Sequence, residues 1–374
     1  MFTLLLRTSS RDMTAPMSAR ESIHLDLLRS FAALVVVVDH APTLFHVPGI
    51  WRCGHQAVMV FFVLSGYVIS HVADTRETTS RAFLVARFAR LWSVLIPAML
   101  LTIACDVIGR NLGHNAAAYA IVPANLPAVR VGAVLGFLSE TWVSIQPLSN
   151  GVAWSLCAEF WYYMLFAAWT FLPPGQTRIV GVSAAALLAG HKALLLLPVW
   201  LLGVALQRSQ MLRRLGPAAN ATLWAGSLLA VVWIIVSRAY DAPTAMTEHI
   251  VSPWIFLQLA QARAFWFDWV FGLVVAAHLL GARTVASWLP LERIAVPVRW
   301  CAGVSFAAYL FHMPLLHFWA AFLAPHQGWL AISLTFAVIA ALGRPVERSK
   351  RWWRRQLDQA LDLLLTRVKP TAAR

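Results

Sequence analysis

Apolar stretches near the length that crosses a bilayer, separated by short polar loops, run from one end of the 374-residue chain to the other. They fall at 26–46, 56–73, 91–109, 154–172, 179–191, 193–207, 221–237, 265–281, 301–323 and 328–343. A helix needs about 20 apolar residues to cross hydrocarbon, and there every backbone N–H and C=O must find its partner within the protein, which admits helices and closed barrels only. Runs this long, without two-residue alternation, point to helices. The pattern therefore predicts an all-α, polytopic membrane bundle of about ten transmembrane helices. The stretches at 179–191 and 193–207 are short for straight crossings and are expected to be tilted or jointly irregular. Composition agrees: 60% of residues are hydrophobic and 12% charged, against about 25% charged in soluble domains.

The net charge of +14 reads as topology. Arg and Lys gather in cytoplasmic loops, and with the N-terminus inside, the loops holding Arg76, Arg81, Arg87 and Arg90, then Arg208, Arg213 and Arg214, then Arg283, Arg293 and Arg299, all fall on the cytoplasmic side. The basic tail from Arg344 falls there too. The opposite loops hold Arg52, Arg110, Arg130, Arg238 and Arg263. An even number of spans with both termini cytoplasmic, in a bacterial inner membrane, is the expected topology. Nucleic acid is not an expected partner, because the basic residues alternate with apolar segments instead of sharing one soluble face. Segment 131–146, apolar but carrying Glu140, is expected to be interfacial or re-entrant. Residues 352–367 read as a basic amphipathic helix on the inner leaflet. The expected organisation is an N-terminal cytoplasmic segment (1–22), one transmembrane domain (23–345) and a cytoplasmic tail (346–374). The start is open among Met1, Met13 and Met17, the opening apolar run being too short for a signal peptide. Cys53, Cys105, Cys157 and Cys301 have no metal-ligand spacing and indicate no disulfide framework, so no metal is expected.

Ionisable residues inside apolar spans are costly and mark function by default. The first span carries Asp26, Arg29, Asp39 and His40. Arg29 and His40 are eleven residues apart, which returns them to nearly the same helix face about 16 Å apart along the axis. Arg29 has a simpler reading, snorkelling to the interface and pairing with Asp26. His40 is suited to proton transfer near neutral pH, and its simpler reading is a hydrogen-bonded packing histidine. Asp39 points off that face. In the second span Ser65–Gly66 breaks a bulky run, where glycine allows close helix approach. Arg87 and Arg90 can together clamp phosphates or simply mark the inner side. Ser155 and Glu159 share a helix face, with Tyr162 and Tyr163 below, and Glu159 can orient His40 or bind an acceptor. Ser305, Tyr309 and His312 lie along one face of a late span. Trp142, Asn150, Trp254 and Trp266 are available for stacking on sugars, as interfacial tryptophans generally are.

In order, LDLLRSFAALVVVVDH, FFVLSGYVIS, RFARLW, WSLCAEFWYYMLF and SFAAYLFHMPL resemble the motifs of the acyltransferase-3 family of membrane acyltransferases, whose members O-acylate glycans and related acceptors. Ser93 and Ser349 stand near places where that family often has proline. The resemblance implies a ten-span bundle, an acyl-CoA donor (acetyl-CoA expected), a catalytic role for His40 and phosphate contacts from Arg87 and Arg90. The expected activity is transfer of an acyl group, acetyl foremost, from acyl-CoA to a hydroxyl of a carbohydrate or glycosylated acceptor. His40, Glu159 and His312 are the expected catalytic set, Arg29, Arg87 and Arg90 hold the donor, and Ser65, Gly66, Ser155 and Tyr309 support the site. The alternative is a polysaccharide or small-molecule exporter without acyl chemistry, since buried charges also line translocation paths.

Overall fold

The computed structural model describes residues 17–48, 53–209 and 215–368. Met1 and Met13, Arg7, Arg11, Arg52, Arg213, Arg214 and the last six residues lie outside them. The described residues are helical, with no strand among them. The helices are α1 (Ala19–His40), α2 (Gly54–Thr75), α3 (Ser80–Leu112), α4 (Pro127–Leu135), α5 (Trp154–Phe171), α6 (Gln176–Arg208), α7 (Pro217–Ser237), α8 (Asp241–Ile250), α9 (Pro253–Leu259), α10 (Phe265–Trp288), α11 (Ala295–Ala302), α12 (Ser305–Phe322), α13 (Gly328–Arg348) and α14 (Lys350–Val368).

Helix α7 shows which solvent this bundle is built for. Its buried residues are Asn220, Ser227 and Ile234, while Leu229, Val232, Trp233 and Val236 stand exposed. A soluble amphipathic helix does the reverse. Burying polar groups against a neighbour and presenting leucine and valine outward is favourable only when the surroundings are lipid. Phe31, Leu100, Val107, Leu187 and Leu273 are exposed in the same way on other helices.

By length and composition, α2, α3, α6, α7, Pro253–Trp288 and Pro325–Leu364 are each able to cross a membrane, and the pair Leu291–Ala302 and Ser305–Phe322, bent by 46°, makes a seventh. The difference from ten has three sources. The stretches at 179–191 and 193–207 are the two arms of α6, which doubles back at Gly190 (φ 76°) and so enters that set only once: Gly181 packs on Leu172 and Arg208 lies over the Phe166 ring, both near the same end of α5. Helix α1 carries Asp26, Arg29 and Asp39, and α5 has 18 residues holding Glu159, three tryptophans and two tyrosines. These last two fall outside that set, α1 through its charges and α5 through its glutamate, tryptophans and tyrosines. Segment 131–146 contains only the end of α4, whose nine residues reach about 13 Å as a helix. It then runs on as irregular chain, where Glu140 pairs with the buried Lys192 at 2.8 Å.

The contact between α2 and α6 fixes the frame on which the polar interior hangs. A Cβ on Gly66 would sit 2.0 Å from the Trp200 carbonyl oxygen, and one on Gly203 would sit 2.0 Å from the Val63 carbonyl oxygen. The two backbones touch at that crossing. Gly66→Ala is therefore expected to wedge the helices apart, at a cost of about 1–3 kcal/mol or more. It should appear as a lower melting temperature and reduced monodisperse yield in detergent, whereas an unchanged melting temperature would show that the crossing is not tight.

Helix α14 lies along α3, with Arg81 bridging to Asp362 (2.6 Å) and Asp358 (3.5 Å) and Trp92 packing edge-on to Trp353. Glu347, near the end of α13, accepts the N–H groups of Phe306 and Ala307 at 3.0 and 3.1 Å. A carboxylate is well placed at a helix N-terminus, and this one seats α12.

Candidate active site

Helix α1 ends on His40, held on both sides by backbone logic. The carboxylate of Asp39 accepts the N–H groups of Cys53 and Gly54, each at 3.0 Å, capping α2 and locking it to the end of α1. Asp39 thus faces away from the site, as its helix position predicts. The His40 ring bonds through Nδ1 to the Val36 carbonyl at 2.7 Å. A carbonyl only accepts, so the proton sits on Nδ1 and the Nε2 lone pair is left free. His312 repeats the arrangement: Nδ1 donates to the Ala308 carbonyl at 3.1 Å, and its buried Nε2 has no hydrogen-bond partner. The two rings lie 5.0 Å apart, tilted by 50°.

His40 opens onto a cavity of about 380 Å³, lined also by His55, Glu140, Ser144, Gln146 and Trp154. A second cavity, of about 70 Å³, lies toward the Arg29 end of α1 and is lined by Arg29, Arg87, Arg90, Ser65, Glu159 and Tyr163. Val58 and Tyr309 line both, so the two cavities meet at that pair. Three guanidinium groups face one lining carboxylate in the second cavity, an imbalance that favours an anionic ligand.

The three arginines are not equivalent. Arg87 is buried and donates to Glu77 at 2.7 Å, with its guanidinium near the rings of Phe83 and Tyr163. Arg29 is 3.9 Å from Asp26, the i,i+3 pair that spacing suggested, yet it also lines the cavity. Arg90 makes no ion pair among the described residues and lies over the Phe306 ring at 5.8 Å. Glu159 accepts from Ser65 Oγ at 2.6 Å and from the Tyr163 hydroxyl at 2.5 Å, while Trp200 Nε1 donates to Ser65 Oγ at 3.2 Å.

The family model for the acyltransferase domain matches residues 23–343. The chain belongs to the acyltransferase-3 family. No curated protein and no solved structure matches it.

In this membrane acyltransferase, the residues singled out from sequence separate into two groups. Arg29, Arg87, Arg90, Ser65, Ser155, Glu159 and Tyr309 all line the arginine cavity. His40 and His312 lie tilted against one another at the other side of Tyr309. The expected link between Glu159 and His40 is not made: no hydrogen bond joins them among the described residues, because the Glu159 carboxylate is taken up by Ser65 and Tyr163 on the arginine side. Ser155 and Tyr309 brace one another: Ser155 Oγ donates to the Tyr309 hydroxyl, which donates to the Val152 carbonyl, both at 2.8 Å. Gly66 serves the helix crossing and lines neither cavity.

The tryptophans singled out for sugar stacking also lie elsewhere. Trp142, Trp254 and Trp266 line neither cavity, and Asn150 is fully buried, donating to Thr102 Oγ and the Leu310 carbonyl. Trp154 lines the histidine cavity instead. Sequence reasoning missed His55, Asp268, Lys192 and the buried His24–His278 pair. Asp268 sits in the apolar run FWFDWVFGL, and the rule that flagged Glu159 flags it equally.

Proposed function

We propose that this acyltransferase moves an acyl group, acetyl foremost, from acyl-CoA to a hydroxyl of a carbohydrate or glycosylated acceptor. The observation that carries this reading is the meeting of a cationic cavity and a histidine cavity at Val58 and Tyr309. The arginine cavity suits the phosphates of CoA, with Arg90 and Arg29 offering the least committed guanidinium groups and Arg87 supporting the field. Both termini are taken as cytoplasmic, on the basic-loop pattern, which turns the arginine cavity toward the cytosol of a bacterial inner membrane. The histidine cavity then faces the opposite side, where surface glycans are built.

The chemistry assigned to His40 is general base catalysis. Its Nε2 lone pair takes the proton of the acceptor hydroxyl as the oxygen attacks the thioester carbonyl carbon. Collapse of the tetrahedral adduct breaks the C–S bond, and the imidazolium returns the proton to the leaving thiolate. A base of this kind typically contributes about 10²–10⁴-fold. His312, uncharged and adjacent, supplies a second acceptor beside the imidazolium. Glu159 orders the polar wall of the donor cavity through Ser65 and Tyr163.

Membranes from producing cells, incubated with radiolabelled acetyl-CoA, are expected to yield label on glycan that mild alkali releases, and membranes lacking the protein are not. Glycan that crosses the membrane without acquiring label would instead favour export.

A further inference from the structure

We propose that His55 and Asp268 form a hydroxyl-binding site in the histidine cavity, so that a polyhydroxylated acceptor is held at two of its oxygens, one at His40 and one at His55. The proposal rests on the acyl-transfer reading and assigns the acceptor side of it.

Asp268 is fully buried on α10, in the middle of an apolar run. Among the described residues, the hydrogen-bond partner of its carboxylate is His55 Nε2, at 3.0 and 3.1 Å from the two oxygens. A carboxylate accepts, so Nε2 carries the proton and the Nδ1 lone pair is free. The side chain keeps 26% of its surface open and lines the cavity it shares with His40. The ring is held flat against Trp154, with centroids 6.0 Å apart and planes 14° from parallel. Tautomer and orientation are therefore both fixed, the arrangement by which a carboxylate aims an imidazole at a ligand.

A simple tie between α2 and α10 would not need this. A buried carboxylate is among the most expensive groups to place in a membrane span, and two neutral side chains would join the helices at lower cost. A second imidazole lining the same polar cavity is useful to a ligand that presents two hydroxyl groups at once. Ser144, Gln146 and Glu140 on the same lining offer further polar contacts. A simple alcohol would use one imidazole only, and a sugar that presents a second hydroxyl to the cavity uses both.

The full-length protein in nanodiscs, labelled acetyl-CoA and alkali-stripped envelope glycan from the producing cells provide the test. His55→Ala is expected to raise the KM for glycan by about tenfold to a hundredfold, the loss of a hydrogen bond made by a buried partner. The KM for acetyl-CoA should stay near wild type, whereas the melting temperature should fall, because the buried Asp268 carboxylate loses its partner. His55→Gln, which retains an N–H for Asp268 and an oxygen for the cavity, should recover part of the loss. A glycan KM within twofold of wild type in folded His55→Ala protein would overturn the proposal. So would equal rises in both KM values, which mark a structural tie; if the alanine variant does not fold, the glutamine variant is read by the same criteria. Wild-type protein that transfers no label would instead refute the acyl-transfer reading. In that case diethyl pyrocarbonate still decides the placement: His55 should be carbethoxylated in intact protein and protected by the glycan, and a ring that does not react or is not protected contradicts the site.

Discussion

His40→Ala is expected to lower acyl transfer by about 10²–10⁴-fold, the range for removal of a positioned base, while the protein inserts and folds as wild type does. The second half of this expectation follows from where the ring is anchored. Its hydrogen bond runs to the carbonyl of Val36, one turn back on its own helix, so its removal leaves no distant partner unpaired. Asp39 provides the contrast: it caps α2 through Cys53 and Gly54. Asp39→Ala should lower stability by roughly 0.5–2 kcal/mol, as loss of a helix cap does. Transfer rates at saturating acetyl-CoA, with size-exclusion profiles of both variants, check the pair. A His40→Ala variant with wild-type turnover would remove His40 from the chemistry.

The two arginines of RFARLW are expected to part company on mutation. Arg87 is buried against Glu77, and taking away one partner of a buried ion pair costs about 3–5 kcal/mol because the other charge is left uncompensated. Arg87→Ala should therefore give little folded protein. Adding Glu77→Ala should restore folding, without restoring whatever the lost cation contributed to the donor site. Arg90 has no carboxylate partner among the described residues, so Arg90→Ala should fold normally. It should raise the KM for acetyl-CoA by about tenfold to a hundredfold, the scale of one charge-assisted hydrogen bond. Thermal melts of the three variants together with donor KM values separate the roles. Equal behaviour of Arg87→Ala and Arg90→Ala in both measurements would show that the pair acts as a simple clamp.

Much of this arrangement is legible one residue at a time, and the reasons are physical. The eleven-residue spacing from Arg29 to His40 sets their separation along α1 before any neighbour is known, and the structure puts them in different cavities accordingly. Glu159 stands out because a carboxylate in hydrocarbon needs a reason. What spacing does not reveal is the partner. Glu159 was equally free to meet His40 or Ser65, and only the crossing of α2 with α6, set by Gly66 and Gly203, brings Ser65 and Trp200 to it. His55 and Asp268 are 213 positions apart, so neither announces the other. The two short apolar stretches of α6 are legible as separate arms, and Gly190, with its positive φ, makes the turn between them. The charges of α1 and the polar aromatics of α5, which keep these helices out of the set of evident spans, include residues that line the cavities: Arg29, His40, Trp154, Glu159 and Tyr163.

The account turns on donor and acceptor approaching one reaction centre from two cavities on opposite faces of the bundle. Sealed proteoliposomes, loaded with alkali-stripped glycan and also bathed in it, test this when labelled acetyl-CoA is added to the outside alone. Only molecules with the arginine cavity outward receive donor. The account predicts alkali-labile label on the enclosed glycan, with none on the glycan outside. Label confined to the outer glycan would place donor and acceptor on the same face and contradict the two-cavity mechanism.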